Sequence, residues 1–143
     1  MTNHRFQTAH RIKFSECDPA GIVFYPQYFV LFNDLFESWI DSLIPDGFAG
    51  LISRRRCGTP TVHLETEFKA ISRMGDDVKL SLELSRLGTR SMTLALACTD
   101  RNDMPRMSAK QTIVTISLET YAAIPIPDDL RAALERAAPS SSH

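Results

Sequence analysis

From Tyr25 the apolar residues fall at Tyr28, Phe29, Phe32, Leu35, Phe36, Trp39, Ile40 and Leu43, at intervals of three and four. That spacing sets them on one side of a helix and turns Gln27, Asn33, Asp34, Glu37 and Asp41 away from it. Pro26 suits the first helical position, where a missing N–H costs nothing, and Pro45-Asp46-Gly47 mark the stop. A helix of about five turns with a wide aromatic face is predicted. Ahead of it, Ile12 and Phe14 alternate with Arg11 and Lys13. They read as the end of a short half-buried strand, broken at Asp18-Pro19-Ala20-Gly21.

Beyond a loop carrying Arg54-Arg55-Arg56 and Gly58-Thr59-Pro60, the period becomes two. Val62, Leu64, Thr66, Phe68 and Ala70 form one alternating set, Val78, Leu80, Leu82 and Leu84 a second, and Met92, Leu94, Leu96 and Cys98 a third. Turns are expected at Met74-Gly75-Asp76-Asp77, at Gly88-Thr89 and at Arg101-Asn102-Asp103, with a fourth strand over 107–118. Four consecutive strands on short turns predict an antiparallel meander, each strand apolar on one face. The helix supplies the cover for that face, so the architecture is α+β: a curved antiparallel sheet wrapped around one central helix. Asp128 is placed to cap a short helix over 128–138, and 139–143 reads as a frayed tail.

At 143 residues the chain is read as a single domain, 1–143. Its 16 Lys and Arg against 17 Asp and Glu leave a net charge of −1, so no global field draws it to nucleic acid or an anionic membrane. Cys17, Cys57 and Cys98 form no CxxC pair, which removes support for a zinc site or a redox motif. The start of the chain is polar, and no apolar run approaches the ~20 residues of a membrane span. A reduced, cytoplasmic protein is expected.

Chemistry concentrates in Glu16-Cys17-Asp18-Pro19-Ala20-Gly21-Ile22-Val23-Phe24-Tyr25-Pro26. A carboxylate stands on a tight loop between a strand and the N-terminus of the long helix. The free N–H groups of that first turn, with the helix dipole behind them, favour negative charge and can stabilise an oxyanion developing on a carbonyl. By spacing alone the default role of Asp18 is a turn or capping residue bonded to nearby backbone.

The run Asp18-Pro19-Ala20-Gly21-Ile22-Val23-Phe24-Tyr25-Pro26-Gln27-Tyr28-Phe29, followed by Gly58-Thr59-Pro60, closely resembles the signature of the 4-hydroxybenzoyl-CoA thioesterase family of hot-dog-fold proteins. The resemblance covers roughly residues 9–120. It implies a hot-dog fold, a five-stranded antiparallel sheet around one long helix, in subunits that pair as dimers and commonly assemble into tetramers. It also implies that Asp18 matches the catalytic aspartate and that the Tyr25 backbone N–H polarises the thioester carbonyl. Asp18 would either attack the acyl carbon or deprotonate a water. A thiol leaving group with a pKa near 8.5 departs without a strong general acid, so no metal and no separate cofactor is required; coenzyme A is part of the substrate.

Further along, the resemblance places Asn33 and Thr59 in the acyl pocket, and Arg90-Ser91 where the family contacts the nucleotide of CoA. Arg54-Arg55-Arg56 is a second basic run, of the kind usually found on a solvated face. His63 reads as a surface or interface residue, and His4, His10 and His143 show no partner. Glu37 is kept as an alternative carboxylate, because a second hot-dog lineage carries its carboxylate on the helix. The leading expectation is hydrolysis of an aromatic acyl-CoA such as 4-hydroxybenzoyl-CoA. Thioesters of short or branched acyl groups, and a non-catalytic acyl-CoA-binding scaffold, are the alternatives. A hot-dog dehydratase would need a paired His and carboxylate, and no His-Phe-Pro-Gly-like run is present.

Overall fold

The three-and-four spacing becomes helix α1 (Pro26–Leu43), with Pro26 in its first turn and Tyr28, Leu31, Phe32, Leu35, Phe36, Trp39 and Ile40 buried. A computed structural model of the chain describes residues 5–137; the expected tail at 139–143, with His4 and His143, lies outside the described residues. Past α1 the chain does not run on as a loop. Gly47 takes a φ of +67°, the Phe48 amide donates to Asp41 Oδ1 at 2.8 Å, and a second helix, α2 (Gly47–Ser53), seals Leu51 into the core. Phe48 meets Phe36 edge-on, with ring centroids 6.0 Å apart, which anchors this short helix on the first.

The strands are β1 (Phe6–Arg11), β2 (Cys57–Gly58), β3 (Thr61–Phe68), β4 (Asp77–Leu87), β5 (Ser91–Asp100), β6 (Pro105–Val114) and β7 (Ile116–Ser117). The main sheet is five-stranded and antiparallel, in the order β1-β4-β5-β6-β3, and β2 pairs with β7 beside it. Helix α1 packs on β4 and β1, so the α+β hot-dog architecture holds. The expected four-strand meander does not: β4-β5-β6 is one, but β3 lies beyond β6 at the far edge. Residues 69–76 therefore form a crossover along one end of the sheet, not a hairpin turn.

Other boundaries move for local reasons. The first strand stops at Arg11; Ile12 is buried, whereas Phe14 sits on a single 3-10 turn and is exposed. The fourth expected strand divides at Thr115, which is fully buried and donates from its hydroxyl to Ile124 O at 2.7 Å. Helix α3 (Asp128–Ala137) buries Leu130, Ala133 and Leu134. Arg55 holds it in place by bonding both Asp129 oxygens, at 2.7 and 2.8 Å, while also gripping Asp46. The basic run at 54–56 is thus a strut between α2 and α3 at Arg55, and Arg54 also pairs with Asp46.

Candidate active site

The loop at 17–25 folds as a miniature hairpin. Asp18 N donates to Ile22 O and Gly21 N to Asp18 O, each at 2.9 Å, with Pro19 and Ala20 at the tip. Gly21 has a φ of +78°, the left-handed position such a three-residue connection requires. At the base, Phe24 N donates to Glu16 O at 2.9 Å, and Cys17 bridges to Val23.

Asp18 is half-buried, and its Oδ1 accepts the Ala20 amide at 2.8 Å. The turn role open to this residue by spacing is therefore present, as an Asx turn. It occupies one carboxylate oxygen and fixes the plane of the group. Asp18 does not cap α1, whose first turn has no side-chain cap. At the helix entry, Gln27 N donates to Phe24 O at 2.8 Å and Tyr28 N to Tyr25 O at 3.2 Å. Pro26 has no N–H, and among the described residues the Tyr25 amide meets no acceptor. A carboxylate oriented by a backbone donor and a helix-entry amide thus stand at the two ends of one short hairpin.

Beside this hairpin lies a cavity of about 250 Å³ lined by Ile22, Val23, Tyr25, Tyr28, Phe68, Lys69, Ala70, Ile71 and Ser72. Its aromatic wall is built from distant parts of the chain. The Phe68 ring, at the end of β3, lies 6.2 Å from the rings of both Tyr25 and Tyr28. Tyr28 OH donates to Ser72 Oγ at 2.9 Å inside the core, and burial pushes its phenol pKa up. Cys17, next to Asp18, also has its thiol raised by burial, so it is a poor thiolate.

The remaining expected residues are dispersed. Asn33 lies on the exposed side of α1, where its Nδ2 donates to Glu37 Oε2 at 3.0 Å, so two separate candidates are partners of each other. Thr59 is half-buried between β2 and β3, next to Gly58, where a Cβ would stand 2.7 Å from Leu118 Cδ2. Arg90 is exposed on the β4–β5 turn and Ser91 opens β5. Arg131, which the sequence did not bring forward, reaches that turn from α3 and donates to Gly88 O at 2.8 Å. Only the tertiary docking of α3 brings it there.

His10 does have a partner, contrary to expectation: its Nε2 lies 2.9 Å from Glu16 Oε1, which also accepts the Lys13 amide. The pair borders a second, more polar hollow of about 360 Å³ between β1 and α1. His63 pairs with Glu65 on the exposed edge strand. Among the described residues no group of three or more His, Cys, Asp or Glu side chains gathers as a metal site, and no helix is long and apolar enough to cross a membrane.

Residues 12–134 match the thioesterase-like superfamily. The 1,4-dihydroxy-2-naphthoyl-CoA hydrolase of Synechococcus sp. (strain CC9311) is 34% identical over 95 residues, 60% of this chain and 60% of that protein. The chain thus spans about 60% of the length of that relative. The enzyme of the same name from Synechococcus elongatus is 23% identical over 92% of this chain and 94% of its own length. Among solved structures, the 1,4-dihydroxy-2-naphthoyl-CoA thioesterase from Synechocystis superposes with a TM-score of 0.81 at 20% identity, over 91% of this chain and 95% of that one.

Proposed function

The chain belongs to the thioesterase-like superfamily, and from that premise we propose that it is a hydrolase of aromatic acyl-CoA thioesters, with Asp18 and the Tyr25 amide at its chemistry. The observation that carries this reading is the Asp18 carboxylate: oriented through Oδ1 by Ala20, not spent on capping the helix, and carried on the same short hairpin that leads into the Tyr25 amide at the entry of α1. The Tyr25 N–H binds the thioester oxygen as it gains charge. Asp18 then either bonds to the acyl carbon, giving a mixed anhydride that water opens, or takes a proton from the attacking water. In both routes the C–S bond breaks and CoA leaves as thiolate. The products are the free acid and CoA.

Two features favour an aromatic acyl group. The cavity beside the hairpin has an aromatic wall of Tyr25, Tyr28 and Phe68, and the relatives named above act on a bicyclic aromatic thioester. The superfamily assignment is coarser than the 4-hydroxybenzoyl family that the sequence resembles, so 4-hydroxybenzoyl and 1,4-dihydroxy-2-naphthoyl are both within the class. Arg90, with Arg131 close by, offers charge to the CoA phosphates at the β4–β5 turn.

The working unit is a homo-oligomer built on β3. Phe68, Thr66 and Leu64 pair across the sheet with Met107, Ala109 and Gln111 and so share the core-side face. Yet Leu64 and Phe68 are exposed, because α1 lies over β4 and β1. An edge strand with an uncovered apolar face is a template for a second copy. Since Phe68 also walls the cavity, a twin seated there would complete the pocket.

The test is release of free CoA from a panel of 4-hydroxybenzoyl, 1,4-dihydroxy-2-naphthoyl, phenylacetyl and short straight-chain thioesters. Aromatic thioesters are expected to turn over fastest, and Asp18→Asn should lower kcat by about 10²–10⁴-fold with binding retained. Binding without cleavage by the parent would leave a scaffold. Undiminished turnover by the variant would remove Asp18 from the chemistry and bring Glu37 forward.

A further inference from the structure

The crossover at 69–76 is the floor on which the hairpin lies. Val23 N donates to Ser72 O at 2.9 Å, Met74 N to Gly21 O at 3.0 Å, and Ile22 bridges to Arg73. The first turn of α1 is tied to the same floor through Tyr28 OH and Ser72 Oγ. This floor contains no regular structure of its own, so something else must fix its path. One residue does so from both its backbone and its side chain. Arg106, near the start of β6, accepts the amides of Lys69 and Ala70 on its carbonyl, at 2.9 and 3.0 Å. Its Nη1 stands 3.0 Å from Ile71 O, 3.1 Å from Ser72 Oγ and 3.0 Å from Asp76 Oδ2. The guanidinium is largely buried, with Asp100 3.9 Å from its other terminal nitrogen.

We infer that Arg106 is the positioning residue of the catalytic hairpin, acting through Ser72 and the crossover to set the register of Ile22–Val23 and hence the placement of Asp18 and Tyr25. This rests on the proposed role of Asp18. The chain of contacts runs from Arg106 to Ser72, from Ser72 to Val23 and Tyr28, and from Ile22 to Asp18, whose amide donates to the Ile22 carbonyl. No step is a contact between Arg106 and substrate. The chemistry of Arg suits this role, because Nη1, whose two N–H bonds are shared among Ile71 O, Ser72 Oγ and Asp76 Oδ2, is held in one plane with the second terminal nitrogen that faces Asp100, whereas a lysine ammonium is a single point charge on a flexible stem. A displacement of about 1 Å at a reacting group costs on the order of 10²-fold in rate.

The experiment compares parent, Asp18→Asn, Arg106→Met, Arg106→Lys and Ser72→Ala for kcat, KM and folded fraction by circular dichroism, at a temperature well below every unfolding midpoint. Arg106→Met is expected to lower kcat by about 10²-fold with KM within about threefold and the folded fraction unchanged. Arg106→Lys should recover part of the loss. Ser72→Ala, which removes the hydroxyl shared by Arg106 and Tyr28, should move kcat in the same direction by a smaller factor. The inference is overturned if Arg106→Met keeps parental kcat while Asp18→Asn loses it. It is equally overturned if kcat falls only in proportion to the folded fraction. Should Arg106→Met fail to fold, Ser72→Ala decides: parental kcat there overturns the inference, and a kcat loss at constant KM supports it. Parental kcat in Asp18→Asn defeats the proposed chemistry instead, whatever the Arg106 variants do.

Discussion

Strands β3 and β4 lie in one sheet and alternate in the same way, but they live in different surroundings. Strand β4 runs between β1 and β5 beneath α1, and Val78, Leu80, Leu82 and Leu84 are all buried. Strand β3 has β6 on one side only, and Val62 (59%), Leu64 (42%) and Phe68 (54%) remain exposed. An apolar face states that a strand needs a cover; it does not say whether the cover comes from the same chain. In β4 the cover is α1. In β3 it is missing within the chain, and there the candidate pocket opens against Phe68.

Paired truncations measure that contrast most directly. Leu82→Ala, at a side chain with no exposure, should lower unfolding free energy by about 2–5 kcal/mol in urea titrations. The same change at Leu64 should stay within about 0.5 kcal/mol for the isolated chain. Equal losses at the two sites would mean that β3 is as enclosed as β4. A charge on β3 acts next: Leu64→Lys should weaken self-association at least about tenfold, as placing an uncompensated charge in an apolar interface does. Sedimentation velocity over a concentration series reads it, with little change in the unfolding of the single chain. An unaltered oligomer would move the interface away from β3.

The smallest effect belongs to a region held by charge instead of apolar cover. Beside Arg55, whose hydrogen bonds are the main cause, the Asp46 carboxyl is lowered from 3.8 to about 2. A folded pKa below the unfolded one adds stability that is complete above the unfolded value and fades as pH falls towards 2. Urea midpoints measured from pH 6 down to pH 2.5 should therefore fall more steeply in the parent than in Arg55→Met. The two curves should converge in acid. Parallel curves would mean that the carboxylate beside Arg55 adds no pH-dependent stability.

Much of this was legible in the residues because it is local. The spacing from Tyr28 to Leu43 specifies α1, and alternation specifies β4 and β5, since helix and strand periods follow from backbone geometry alone. Pro19 and Gly21 mark the hairpin that carries Asp18 for the same reason. The rest depends on partners distant in sequence. No periodicity could show that β3 pairs with β6 rather than β4, that residues 69–76 cross the end of the sheet, or that Glu16 lies against His10. Likewise the run at 54–56 displays charge, but only the docking of α3 commits Arg55 to Asp129. The sequence by itself determined α1, β4, β5 and the tight turn that carries Asp18, whereas α2 and the break at Thr115 came only with the folded chain. Tertiary structure alone decided which apolar face stays open, what walls the cavity and what fixes the floor beneath Asp18, because each of these depends on contacts between segments that local geometry leaves free to choose.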